Sequence, residues 1–447
     1  RVLVVGTTAD YVEHIHQIYP GQALFVTAEE ERRRSQREPP DNESEILTDL
    51  SSPHRVLAAI DKQCSRFGMV VDGVACFDCE SLALAAFLGR KLHLEFVTPE
   101  AVILSRDKFA SKQVWKQHGI TCPATDIVRS HRDALNFFDR LQAPIVLKPL
   151  TGSGSELTFV CRDRYEVTDA FETLEIGLAQ RSKSRMYSAV ELQGRVIDPT
   201  KVFGVEQFIE GREYSCDFII ESNRVTIIRT AKKIPAKNEA FGTTLAYLVP
   251  GRLPGGVDQA LFRSQLRAAA SALGLNRALC MVDFVIHRDR PVFLEMTPRP
   301  GGDCLPALLR HSAGFDMLGL ELDFARGKPI VLPEVPGWQP MAGLRLFVRQ
   351  SGQVTALDAK KILQDPRVRE CRLIRRVGHE IILPPEDYDS RLLGYVIFAP
   401  TDDKAVEHEC EELRNKLTLT VERITDEQGV RGLLSDRRTA GTAYPAA

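Results

Sequence analysis

The sequence predicts an α/β and α+β multidomain protein, and three observations lead there. Apolar strand-like runs and amphipathic helix-like runs alternate through the first hundred residues. Polar side chains suited to chemistry gather between residues 101 and 328. A Pro-rich stretch, GKPIVLPEVPG, then precedes a last group of strands and one helix. A chain of 447 residues has room for two or three such units, each with its own core.

In the first unit, VLVVG (2–6), ALFVT (23–27), MVVDG (69–73) and EFVTP (95–99) are expected as strands. LTDL through AAIDKQC and ESLALAAFLGRKL are expected as helices between them, and RRRSQREPPDNES as a polar loop. Such alternation favours a parallel sheet covered by helices on both faces. The first strand ends at a Gly without a full GxGxxG, so the signal for a dinucleotide site is weak. The last unit runs from GLRLFVRQSGQV through GYVIFAPTDD and the helix-like AVEHECEELRNKL. Beyond it, TDEQGVRGLLSDRRTAGTAYPAA (425–447) has little core-forming pattern and is expected to be mobile.

Composition narrows the function classes. Hydrophobic residues make up 44% and charged residues 26%, the profile of an ordinary globular protein, and the net charge is −2. That balance argues against a broad nucleic-acid or anionic-membrane surface, and no apolar run approaches a bilayer span. The ten cysteines are scattered through apolar segments, as expected for reduced thiols in a cytoplasmic protein. Cys76 and Cys79 form the one CxxC, with no second pair at zinc-site spacing.

Four pieces carry the chemistry. In SRDKFASKQVWKQHGI, Lys108 opens a helix, where it suits either solvent or a phosphate. In APIVLKPLTGSGSELTFV, Lys148 ends an apolar strand and a Gly-rich turn follows at once. Glycines there let successive N–H groups wrap an anion, although a flexible Gly-Ser hairpin loop reads equally well. In VEQFIEGREYSCDFII, a strand edge at Gln207, Phe208 and Ile209 suits a flat base, and Glu213 beyond the turn suits ribose hydroxyls. Finally, CMVDFVIHRDRPVFLEMTPRPGG reads as a β-hairpin. A turn centred on Asp289 sets Asp283 opposite Glu295, and Thr297 shares the face of Glu295. Like charges directly across a sheet repel, so a divalent cation between them would explain the pattern. The alternative is a solvent-facing Glu295 and an Asp283 paired to an arginine. Arg299, after the strand, offers a planar fork to a phosphate or oxyanion.

Taken in this order over residues 108–299, the four pieces resemble the ATP-grasp superfamily, in its carboxylate–amine ligase branch, like the L-amino acid ligases. The resemblance covers residues 1–330, and the last unit resembles the small C-terminal domain of that branch. It implies a Rossmann-like pre-ATP-grasp domain (1–100), an ATP-grasp domain of two subdomains clamping ATP (101–328), and a C-terminal α+β domain (329–424). It further implies that Lys108 and Lys148 contact phosphates and that Ser153, Gly154 and Ser155 form the closing loop. Glu206, Gln207, Phe208 and Ile209 match the adenine hinge, and Glu213 matches the ribose carboxylate. Asp283 and Glu295 match the metal carboxylates, and Arg299 the arginine that stabilises an acyl-phosphate and its tetrahedral successor.

The chain departs from the family's Glu-x-Asn at Glu295-Met296-Thr297, where a hydroxyl replaces a longer carboxamide ligand. The implied cofactors are ATP and Mg²⁺ (or Mn²⁺), and the implied partners a small-molecule carboxylate and an amine, with family analogy pointing to a homodimer. Lys232 and Lys233, with Lys237 and Asp303, are the candidate substrate contacts. Three rival expectations are a biotin-carboxylase-like enzyme, a purine-biosynthesis step, and an ATP-binding regulator without turnover. Thr297 is the feature that favours the last.

Overall fold

A computed structural model of the chain describes residues 1–35, 37–192, 195–332 and 337–423. The expected mobile tail lies outside the described residues. Among those described, no helix is long and apolar enough to cross a membrane.

The N-terminal part is a four-stranded parallel sheet, ordered Glu45–Thr48, Ala23–Ala28, Val2–Val5, Gly73–Ala75. Helices Ala9–Ile18, Pro53–Phe67 and Leu82–Leu92 alternate with these strands. Four expectations need correction. LTDL is not helical: Leu47 and Thr48 end the edge strand, whose period-two pattern buries Ile46 and exposes Leu47. The helix starts only at Pro53, whose fixed φ suits a first turn. MVVDG contributes only its last residue to a strand, because the chain leaves the preceding helix through Gly68 at φ +62 and Val70 stays exposed. EFVTP is not a strand either. Thr98 accepts the N–H of Ala101 and caps the helix Pro99–Arg106, so this short apolar run packs as an entry segment. The expected polar loop also begins inside a short helix, Glu29–Arg34.

Two further sheets frame the centre. The smaller is antiparallel, ordered Thr125–Val128, Phe203–Gln207, Ile145–Pro149, Phe159–Cys161. Helices His131–Leu141 and Arg164–Gln180 cover one face of it through Phe137, Phe171 and Leu174. The larger has eight strands, ordered Arg290–Thr297, Ala278–His287, Arg212–Glu221, Arg224–Pro235, Thr244–Val249, Met341–Phe347, Leu392–Phe398, Val368–Leu373. Its last three strands come from the C-terminal segment, so a boundary proposed near residue 328 divides a continuous hydrogen-bonded sheet. Trp115, Phe262, Phe284 and Phe293 pack under the metal-type hairpin and tie it to the helix Lys108–Gln117.

The hairpin pairs Asp283 with Glu295, as the sequence predicts, but by a different route. The turn has two residues, Arg288 and Asp289, both at positive φ, and it pairs His287 with Arg290. That register would misalign the carboxylates. A bulge inserts Leu294 between the Phe284–Phe293 and Asp283–Glu295 pairs and restores them.

Candidate active site

The two central sheets face each other across a cleft with two lobes. One lobe encloses about 840 Å³ including its open mouth, and the other about 1040 Å³. Lys108, Lys233, Asp283, Glu295 and the Gly-rich loop line both, so these residues stand where the lobes meet.

The first lobe is part slot, part charged floor. Val146, Ile209, Phe241, Val285 and Leu294 supply apolar walls, and the Phe208 ring meets Phe241 edge-on at 6.0 Å. The strand edge differs in detail from a free backbone. Gln207 and Phe208 donate their N–H groups to Ala124 O (2.8 Å) and Pro144 O (3.0 Å). Ile209 N–H has no protein acceptor among the described residues and remains open to a ligand. Glu206, grouped with the hinge, turns its carboxylate to the lysines instead: Oε1 is 2.7 Å from Lys112 Nζ and Oε2 is 2.7 Å from Lys148 Nζ. Burial alone would raise the Glu206 pKa, but the two ammoniums pull it below the usual carboxylate value. Glu213 stands at the rim, 3.5 Å from Lys233 Nζ.

At the junction, Asp107 accepts the N–H groups of Phe109 and Ala110 (2.9 Å each) and so fixes the helix start that presents Lys108. Lys108 Nζ donates to Gly152 O at 3.2 Å and lies 3.4 Å from Glu295 Oε2. Lys148 emerges from a fully buried strand at the loop Thr151–Thr158, in which Gly152, Gly154 and Ser155 hold positive φ. Ser153 and Gly154 are exposed to the cleft, and Ser155 Oγ donates to Gly242 O at 3.2 Å, tying the loop to the facing segment.

The carboxylate pair is electrostatically unequal. Burial raises the Glu295 pKa, but Lys108, Lys148, Lys112 and Lys233 together hold it at about 2. Burial raises Asp283, which Lys233 opposes at 3.6 Å while Glu295 and Glu213 push it further up. Two facing carboxylates with a hydroxyl nearby suit a hard dication. Among the described residues no cluster of three or more His, Cys, Asp or Glu side chains could hold a metal, so phosphate oxygens and water would have to complete such a shell. Thr297 lines only the second lobe and is nearly buried opposite Met281.

The second lobe gathers Cys79, Arg106, Tyr247, Arg299, Asp303 and Arg345. Arg299 Nε–H donates to Cys79 Sγ at 3.1 Å, and its Nη1 donates to Pro300 O at 2.6 Å. Asp303 does not stand free to meet an amine: Arg345 Nε lies 2.5 Å from its Oδ2. The basic segment splits by strand alternation. Lys233 points into the cleft, whereas Lys232 lies on the other face and lines neither lobe, which corrects its assignment as a substrate contact. Lys237 pairs at the surface with Glu407 at 2.8 Å.

Two groups were missed from sequence. Lys112 had a signal, since it stands one helical turn after Lys108 on the same face. Arg345 also had one, being the lone charge inside the apolar run GLRLFV.

Residues 141–307 match the family model described as ATP-grasp domain. The chain is 25% identical over 355 residues to the uncharacterized protein y4rH of Sinorhizobium fredii, covering 78% of this chain and 69% of that protein. It is 27% identical over 213 residues to the D-alanine–D-alanine ligase of Bordetella petrii, covering 45% of this chain and 57% of that enzyme. The crystal structure of L-amino acid ligase from Bacillus licheniformis superposes with a TM-score of 0.73 at 18% identity, covering 95% of this chain and 99% of that one.

Proposed function

The chain belongs to the ATP-grasp superfamily, in its carboxylate–amine ligase branch, and from that premise we propose that it forms an amide or peptide bond from an amino acid or similar small carboxylate at the expense of ATP. The observation that carries this reading is the junction between the two lobes. A nucleotide in the apolar slot would project its phosphates toward Lys148, Lys108 and the Gly-rich loop, and a carboxylate in the second lobe would approach from the Arg299 side.

In the first step, a substrate carboxylate oxygen attacks the γ-phosphorus, the bond to the β–γ bridging oxygen breaks, and ADP departs with that electron pair. In the second, an amine nitrogen attacks the acyl carbon, phosphate leaves, and the nitrogen loses a proton. This chain's residues position and neutralise. Lys108 and Lys148 bind phosphate oxygens, and Arg299, whose Nη2 makes no hydrogen bond among the described residues, faces the oxyanion. Ser153 to Ser155 close over the site and exclude water from the acyl-phosphate. Asp283 and Glu295 would hold Mg²⁺, which supplies charge neutralisation of the phosphates when bound.

The testing experiment is phosphate release from Mg-ATP across a panel of carboxylates and amino acids, singly and in pairs, with Glu295→Gln as control. Substrate-dependent release that Glu295→Gln abolishes supports the ligase. Thr297 favours a second reading, a nucleotide-binding protein without turnover, and ATP binding with no stimulated release would select it.

A further inference from the structure

Lys112 is a charged side chain beside the site that lines neither lobe. Its side chain is fully buried, so it cannot contact a nucleotide or a substrate directly. Burying an ammonium is costly unless it is paired and hydrogen-bonded, and Lys112 makes three polar contacts, one within its own helix and two on distant segments. It donates to Lys108 O at 3.2 Å, one turn back in its own helix. It donates to Leu294 O at 2.5 Å, on the larger sheet. It lies 2.7 Å from Glu206 Oε1, on the smaller sheet, and the other oxygen of that carboxylate holds Lys148.

The Leu294 contact explains a feature of the hairpin that its own strands do not. Leu294 is the residue inserted by the bulge, so it has no opposite number in the ladder. The Lys112 ammonium takes the carbonyl of that unpaired residue, next to Glu295. One charge therefore touches the helix start that presents Lys108, the bulge that aligns Glu295, and the carboxylate that orients Lys148. It also spans both sheets that wall the cleft.

We infer that Lys112 and Glu206 form a buried strut that positions Lys108, Lys148 and Glu295 for the phosphates, Lys112 being a positioning residue and Glu206 a bridge to the phosphate lysine rather than an adenine contact. The inference rests on the ATP-grasp ligase reading for what those three residues bind. Without the strut, Lys148 loses the fixed partner that sets its direction, and the bulge loses the donor that fills it. A core ion pair with no such role would affect folding alone.

The test separates those two roles. Full-length wild type, Lys112→Met, Glu206→Gln and the double variant are titrated calorimetrically with ATP and, separately, with adenosine, in Mg²⁺, and melting temperatures are recorded in parallel. The strut acts through phosphate, so Lys112→Met should weaken ATP by at least about tenfold, a typical cost of removing a supporting contact, and leave adenosine within about twofold. Glu206→Gln should show the same pattern, because its carboxylate serves the lysines and not the base. The double variant removes both buried charges with side chains of similar length, so it should recover melting temperature relative to the worse single variant while ATP stays weak. If the double variant recovers ATP affinity along with stability, the pair is structural only and the inference is overturned. It is also overturned if Lys112→Met binds ATP like wild type, or if Glu206→Gln loses adenosine as strongly as ATP. Wild-type protein that binds neither ligand would overturn the nucleotide reading itself, and this inference with it.

Discussion

Replacing Gly301 by alanine isolates the support beneath Arg299. The backbone at Gly301 is not in the left-handed region, so alanine meets no conformational penalty there. Its Cβ, however, would stand 2.4 Å from Arg229 Nη2, 2.8 Å from Leu305 Cδ1 and 3.2 Å from Asp217 Oδ1. A surface arginine would swing aside, but this one is locked. Arg229 Nε and Nη2 donate to Asp217 at 2.8 and 3.0 Å, and Nη1 donates to Ser215 Oγ at 2.8 Å. Both members of the pair are fully buried. Asp217 Oδ1 also accepts the Gly301 N–H at 3.1 Å, so the same carboxylate anchors the turn. Overpacking costs about 1–3 kcal/mol, and losing one partner of a buried pair costs about 3–5 kcal/mol. Alanine regains about 0.4–1 kcal/mol by restricting the unfolded chain. A partly strained pair therefore gives a net loss of about 2–3 kcal/mol. Gly302→Ala is the control, because its Cβ would meet only ordinary contacts, Tyr11 Oη at 3.8 Å and Arg299 Nη1 at 3.9 Å. Urea unfolding of the three proteins should place Gly301→Ala well below wild type and Gly302→Ala within about 0.5 kcal/mol of it. Equal midpoints for the two variants would refute the claim that the Asp217–Arg229 pair holds this turn rigidly.

Two other perturbations test separate parts of the molecule. Glu321 is buried, its Oε2 has no partner, and burial raises its pKa to about 8 against a weaker lowering by Arg277. The folded value lies above the unfolded one of about 4.3, so the stability Glu321 contributes is complete below about pH 4 and is lost as pH rises through 8, by at most about 5 kcal/mol. The unfolding midpoint of Glu321→Gln, compared with wild type at pH 5 and pH 8, should therefore gain on wild type at the higher pH; a difference that does not change with pH counts against the buried acid. Thr297→Asn restores the longer carboxamide ligand, and it should lower the Mg²⁺ concentration that half-saturates ATP binding by roughly tenfold, within the range that ligand-shell changes produce. An unchanged Mg²⁺ requirement would mean that residue 297 does not reach the ion.

The two lobes differ in how much of them the sequence carries, and the difference is physical. The nucleotide lobe is built from short contiguous pieces, a lysine at a capped helix start, a lysine beside a Gly-rich turn, a strand edge and a hairpin, and each keeps its meaning within about ten residues. Even there, the bulge at Leu294 escaped notice, because an inserted residue leaves the apolar alternation intact and shows only in the register. The strand at Glu45–Thr48 and the extended entry at 95–98 escaped for a related reason: four-residue apolar runs take their conformation from what packs on them. Glu206 was legible as a hinge residue but not as a partner of Lys112, since that pairing joins segments nearly a hundred residues apart. The part of the second lobe that it does not share with the first is mostly such joins. Cys79 comes from the turn after the parallel sheet's last strand, Gly73–Ala75, Arg106 from the connecting helix, Tyr247 and Arg299 from the larger sheet and its turn, and Arg345 from the C-terminal strands that continue it. Arg299 follows the hairpin in sequence and Arg345 is a lone charge in an apolar run, but no local pattern places Cys79, Arg106 or Tyr247 in the lobe, and a change in any of those three alters it without removing one of the cleft lysines. On the proposed ligase reading, a cleft arranged in this way holds ATP chemistry fixed while the carboxylate and amine are set by residues scattered over the whole chain, and that is where the substrates should be sought.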